Sequence, residues 1–217
     1  MFDPLQTSTL LLGSAASLAV VHTLFGIDHS LPFVALGRVR GWSLSRTLAV
    51  TVVCGIGHVA SSVFIGGVGV ALGVATESML WLESARGDLA ASLLIGFGLA
   101  YAALAVWRRL RRGDQPLMYG GVARGVTPWA LFIVFVLGPC EPLIPLMVVP
   151  GIEGEWFAVA AVVGVFGPLT LTVMLAVVIV AYRSLEVLPE KFFERHAHVA
   201  AGFVVAASGV AVLWLNF

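Results

Sequence analysis

Two histidines and an aspartate stand close together in "HTLFGIDHS" (residues 22–30), inside a run that is otherwise apolar. His22, Asp28 and His29 place two imidazoles and a carboxylate within eight residues. Comparable groups recur in His58 of "GIGHVASSV" (55–63) and in Cys140 beside Glu141 of "VLGPCEPLIPLM" (136–147). Imidazole with carboxylate, and a thiolate within reach, is a donor set for a divalent transition metal. It suits nickel, cobalt or zinc, whereas magnesium and calcium prefer oxygen. His22 and His29 are seven apart, almost two helical turns, so they share a face. Asp28 points elsewhere on an ideal helix, unless a local unwinding between Gly26 and Pro32 brings it round.

Each of these residues has an ordinary counterpart. His58 on a packed helix fits a hydrogen-bonded core residue as well as a ligand, and Ser61 and Ser62 one turn on serve helix packing equally well. Glu141 suits a proton carrier as well as a ligand, and small buried cysteines such as Cys140 are often inert. The grouped His22, Asp28 and His29 are harder to explain by packing, because ionisable groups at membrane depth are costly and mark functional sites.

The elements that must position these groups are membrane spans. Of 217 residues, 59% are hydrophobic and 11% charged, against about a quarter charged in soluble domains, and mean hydropathy is +1.01. Lipid is therefore the expected surrounding. With 12 basic and 12 acidic residues the net charge is zero, so no global field favours nucleic acid. Two cysteines in apolar runs are no disulfide framework, and "MFDPLQTSTL" lacks the basic start of a cleaved signal.

Six segments meet the length of about 20 apolar residues for a span: 9–37, 47–75, 88–107, 128–150, 156–182 and 198–217. The first two are long enough to tilt or to contain a break. Eleven of the twelve basic residues fall in the connectors after the first, third and fifth segments; Arg86 lies on the other side among Glu77, Glu83 and Asp88. The positive-inside rule then puts those connectors in the cytoplasm and both termini outside.

"FGIDHSLPFVAL" (25–36) and "VLGPCEPLIPLM" (136–147) each carry glycine, two unusual residues and a nearby proline. "GIGHVASSV" and "GPLTLTV" (167–173) follow at similar intervals. Three spans per half make the halves antiparallel, the inverted plan of many secondary transporters, whose sites sit at the midplane on broken helices. The expected fold is all-α: a single polytopic transmembrane domain over 1–217 with six transmembrane helices in two inverted three-helix repeats. The half-repeats run over about 9–107 and 128–217, joined by a basic cytoplasmic linker, 108–127. "PEKFFERHAH" (189–198) reads as a short interfacial helix, and "GGVGVALG" (66–73) as glycines for close helix packing.

With these residues in view, "VHTLFGIDHSLPFVALGR" (21–38) resembles the first-span signature of the nickel/cobalt transporter superfamily, a histidine preceding an Asp-His pair. "GIGHVASSVFIGG" (55–67) is similar to that family's second motif. The resemblance implies a metal-recognition site of His22, Asp28 and His29, with His58 joining from the second span. The best-known permeases have four residues between the first histidine and Asp-His, and more spans. Here there are five, Thr23 to Ile27, and six spans, closer to the short, urease-accessory-like transmembrane branch. "LGPCEPLIPL" (137–146) resembles a motif of the thiol-reductant conduits of cytochrome biogenesis. That alternative makes Cys140 part of a transmembrane thiol/disulfide electron conduit, with Cys54 the only other sulfur available for pairing.

The resulting expectation is a permease, not an enzyme, in a bacterial-type inner membrane. It carries nickel, cobalt or zinc as cargo by alternating access around His22, Asp28, His29 and His58, with Glu141 and Cys140 completing or gating the shell. No organic cofactor or nucleic acid is expected. Partners are lipid and the metal ion, with proton coupling and homo-oligomerisation left open.

Overall fold

The computed structural model describes residues 4–74, 76–112, 121–138, 140, 142–186 and 197–215. Among them the chain is all-helical. Its elements are α1 (Pro4–Phe25), a 3₁₀ turn (Ile27–His29), α2 (Leu31–Val39), α3 (Leu44–Ala71), α4 (Thr76–Arg112), α5 (Gly121–Leu137), α6 (Leu143–Ile152), α7 (Trp156–Glu186) and α8 (Ala197–Leu215). Five of these helices are long and apolar enough to cross a membrane: α1, α3, α4, α7 and α8. α6 is too short to do so, and so is the apolar part of α5.

The distribution of side chains is that of a membrane protein. Phe157, Trp214 and Leu110 are almost wholly exposed, while Thr47, Thr51, Ser62, Glu83 and Thr170 are fully buried. A chain in water buries its large apolar groups first; here lipid solvates them and the interior holds the polar ones.

Two expected spans are broken. Residues 9–37 divide at Gly26 into α1 and α2, and residues 128–150 divide after Leu137 into α5 and α6. Pro32, in the first turn of α2, suits a helix start. Both short helices end alike. Gly41 and Gly154 have φ of 63° and 78°, and the next N–H returns to a carbonyl in the last turn, Trp42 to Gly37 at 2.8 Å and Glu155 to Pro150 at 2.9 Å. This is the left-handed glycine stop. Ser43 then caps α3, its hydroxyl accepting the Arg46 N–H at 3.2 Å.

α4 departs from expectation in the other direction. The third segment, read as starting at residue 88, begins at Thr76, so Glu77, Glu83 and Arg86 are helical rather than in a loop. Glu83 and Arg86 pair with each other and with groups on α3 and α5, which offsets part of the cost of burying two charges in the helix.

Packing around the interior relies on small residues. A Cβ on Gly202 would stand 2.6 Å from the Gly98 carbonyl oxygen, and one on Gly98 would stand 2.6 Å from that of Gly202, so α4 and α8 cross backbone to backbone. In the 66–73 run, Gly66 faces Met147 and Gly69 faces Met79, while Gly73, with φ of 65°, follows the end of α3. The basic linker is helical up to Arg112 and again from Gly121. The rest of it, and the 189–196 part of the expected interfacial helix, lie outside the described residues.

Candidate metal centre

The break after α1 builds the site. The last α1 bond runs from the Gly26 N–H to the His22 carbonyl at 2.8 Å, and His29 N–H returns to Gly26 at 3.1 Å. A side chain at Gly26 would strike the His29 imidazole and come within 2.8 Å of the His22 carbonyl. Glycine is therefore what lets the 3₁₀ turn fold His29 back towards His22. Their rings lie 4.9 Å apart, edge to face. They meet as expected, but across a break rather than along one helix face.

His58 arrives near the centre of α3. Next to it, Gly57 admits α5 closely, since a Cβ there would stand 2.8 Å from Val136 and 3.0 Å from Phe132. The His58 and His29 rings are 5.0 Å apart and nearly perpendicular. One ligand nitrogen from each of His22, His29 and His58 lies within 4.8 Å of the other two, the only such cluster of three metal-ligating residues among the described residues.

The outer nitrogens decide what the inner ones present. His58 Nδ1 is 3.2 Å from the Phe135 carbonyl oxygen, which only accepts, so that nitrogen carries the proton. His29 Nδ1 is 3.1 Å from Asp28 Oδ1, and an ionised carboxylate likewise only accepts. Both Nε2 atoms then turn inward and lie 3.4 Å apart, a hydrogen bond when one of them also holds a proton and two donors for a cation when neither does. Two lone pairs at that distance repel unless a cation lies between them. His22 Nε2 is also buried and lacks a hydrogen-bond partner. Holding the outer nitrogen by a carboxylate or carbonyl is how proteins orient metal-binding histidines.

The other expected ligands are placed differently. Asp28 stands behind His29 and, with His58, lines a crevice walled by Ala90, Leu94, Phe135 and Gly138. Cys140 is fully buried, its N–H donated to Ser62 Oγ at 3.1 Å, in an apolar cluster with Ala15, Ala19 and Phe166. Cys54 belongs to a different apolar cluster, and the two cysteines form no disulfide with each other. Glu141 lies outside the described residues. His198, at the start of α8, contacts Tyr101 at 3.0 Å rather than the trio.

Sequence reasoning missed the polar network beside the site. Glu83 pairs with Arg86 and accepts from Ser62 Oγ at 3.2 Å; Arg86 donates to Ser61 Oγ at 3.0 Å and to the Val136 carbonyl at 2.9 Å. The available signal was an opposite-charge pair at i, i+3 among Met79, Leu80, Trp81 and Leu82, too apolar a setting for a loop. Comparison of the chain with protein-family models, with curated proteins and with solved structures yields no match.

Proposed function

We propose that the chain is a membrane permease for a divalent transition metal ion, nickel or cobalt foremost, and that His22, His29 and His58 are its recognition site. The observation that carries this reading is the pair of Nε2 atoms 3.4 Å apart, each on a ring whose opposite nitrogen lies against a proton acceptor. Two nitrogens bound tetrahedrally to one ion at about 2.1 Å stand about 3.4 Å apart. The pair is thus preset, and a His22 nitrogen within 4.8 Å of both supplies the third donor. Asp28 holds His29 and supplies the negative charge that offsets the arriving dication, while Cys140 and Glu141 belong to the second break.

The two breaks support an inverted repeat. Pro32, Gly37, Gly41 and Trp42 correspond in register to Pro145, Pro150, Gly154 and Glu155, and the corresponding helix stops make the same hydrogen bonds. Asp28 falls opposite Glu141 in that register. Helix neighbours repeat as well: α1 and α2 pack on α7 as α5 and α6 pack on α3, and α2 packs on α8 as α6 packs on α4. With each broken pair counted as one crossing, the chain makes six. The basic connectors then face the cytoplasm of a bacterial-type inner membrane, with both termini outside. In this arrangement one half rocks against the other around the site.

The test is calorimetric titration of the detergent-purified protein with nickel, cobalt and zinc, beside His22→Ala and His58→Ala variants that remain helical. Saturable binding lost in the variants, followed by metal flux in proteoliposomes, is the expected result. A folded wild type that binds none of the three ions sinks the reading.

A further inference from the structure

We propose that Arg86, neutralised by Glu83, is the positioning residue of the histidine site, holding the broken end of α5 so that the Phe135 carbonyl sets the tautomer of His58. This inference rests on the metal reading above. Both charges are interior: the Glu83 side chain is fully buried and that of Arg86 is 11% exposed. A buried ion pair is costly to form and contributes little to stability by itself, so its partners indicate its use.

Those partners form a closed bracket around His58. At the end of α5 the Gly138 N–H is shared between the Val134 and Phe135 carbonyls at 2.8 and 3.2 Å, and the later carbonyls have no next turn to bond to, as at any helix end. Val136 gives its oxygen to Arg86 at 2.9 Å, and the adjacent Phe135 gives its oxygen to His58 Nδ1 at 3.2 Å. From the α3 side, Ser61 Oγ accepts from Arg86 at 3.0 Å and donates to the His58 carbonyl at 2.9 Å. Arg86 thus grips the helix that carries His58 and the helix end that orients it, within one residue of the functional bond on the α5 side. The other arm closes the same break. Ser62 Oγ donates to Glu83 at 3.2 Å and accepts the Cys140 N–H at 3.1 Å, so both sides of the α5–α6 interruption are tied to one ion pair on α4. No hydroxyl in this network is asked to donate twice.

The guanidinium suits the task because it offers several donors in a rigid fork, which an ammonium does not. Without it, the Val136 carbonyl loses its anchor and the Phe135 carbonyl keeps only the Gly138 N–H at 3.2 Å. The helix end then shifts, His58 rotates or exchanges tautomers, and its Nε2 is no longer aimed at His29. Arg86 touches no cargo in this scheme; it acts through two backbone carbonyls.

The experiment is titration of the full-length protein in detergent with cobalt(II), followed by visible absorption, which reports the coordination geometry. The main variant is Glu83→Gln/Arg86→Gln, which removes both charges together and leaves no lone buried charge. Arg86→Lys and Ser61→Ala accompany it. The expected result is a Kd raised about tenfold in the double variant, as for other groups that orient metal ligands, with an altered cobalt spectrum. Arg86→Lys falls between it and the wild type, and Ser61→Ala shows a smaller change in the same direction. A folded double variant with wild-type affinity and spectrum overturns the proposal while leaving the metal site standing. If the double variant does not fold, an unchanged Kd and spectrum in Ser61→Ala overturn it. A wild type that binds no cobalt removes the metal reading and this inference together.

Discussion

At the residue scale, the proposed metal binding turns on which nitrogen of each histidine holds a proton. His29 and His58 have their outer nitrogens bonded to Asp28 and to a backbone carbonyl, and this exposes both inner lone pairs at once. Asp28→Asn keeps the shape but can also donate to His29, so the tautomer is no longer dictated. We expect it to lower metal affinity about tenfold to a hundredfold with helix content by circular dichroism unchanged. Gly26→Ala pushes a methyl into the His29 ring and should cost about 1–3 kcal/mol in stability through overpacking, along with most of the binding; thermal unfolding and titration read the two separately. The facing lone pairs call for a shared proton when no metal lies between them, and ligands must be deprotonated to bind. Binding should therefore release a proton and weaken as pH falls, which calorimetry in buffers of different ionisation enthalpy will measure.

At the scale of elements, the interrupted helices matter most. An unbroken helix from residue 9 to 37 would satisfy every backbone group and leave none to aim at a ligand; the break frees carbonyls and N–H groups and turns His29 inward. Interruptions at membrane depth survive only where other groups take over the lost hydrogen bonds, and here His58, Arg86 and Ser62 do so at the second break. The continuous helices act as the frame. Where α4 crosses α8, Gly202→Val drives methyl groups into the Gly98 backbone, whereas Gly96→Val meets open space on the same face-to-face pair. Gly202→Val should lower the midpoint of thermal unfolding in detergent well beyond Gly96→Val. Equal shifts would mean that the close crossing contributes nothing to the fold.

For the whole molecule, the sign of each surface sets how it lies in the bilayer. Arg111 and Glu153 are exposed at opposite ends of the proposed six-crossing bundle. Single cysteines placed there, in a background lacking Cys54 and Cys140, should react with a membrane-impermeant maleimide from opposite sides, position 153 from outside and 111 only after permeabilisation. Labelling of both from the same side would exclude the inverted arrangement. Metal transport by rocking halves depends on that arrangement, because two antiparallel repeats present one site to each face in turn.

The sequence by itself determined the helical class and the lipid surroundings, since hydropathy along 20 or so residues is a local property that a span must satisfy wherever it packs. It also marked His22, Asp28 and His29 as residues with no cheap reason to be buried, left His58 readable as a core residue or a ligand, and marked Gly26 and Pro32 as the place where a helix could unwind. What it could not specify is set by approach between distant segments. That the Phe135 carbonyl reaches His58 depends on how closely Gly57 lets α5 lie on α3. That Glu83 and Arg86 belong to the interior depends on serines and a carbonyl supplied by other helices, so read singly they resemble loop charges. Only the tertiary structure brings the acceptors Asp28 and Phe135 behind the two imidazoles, and a proton's position on a ring follows from that partner and not from the residues beside it in the chain.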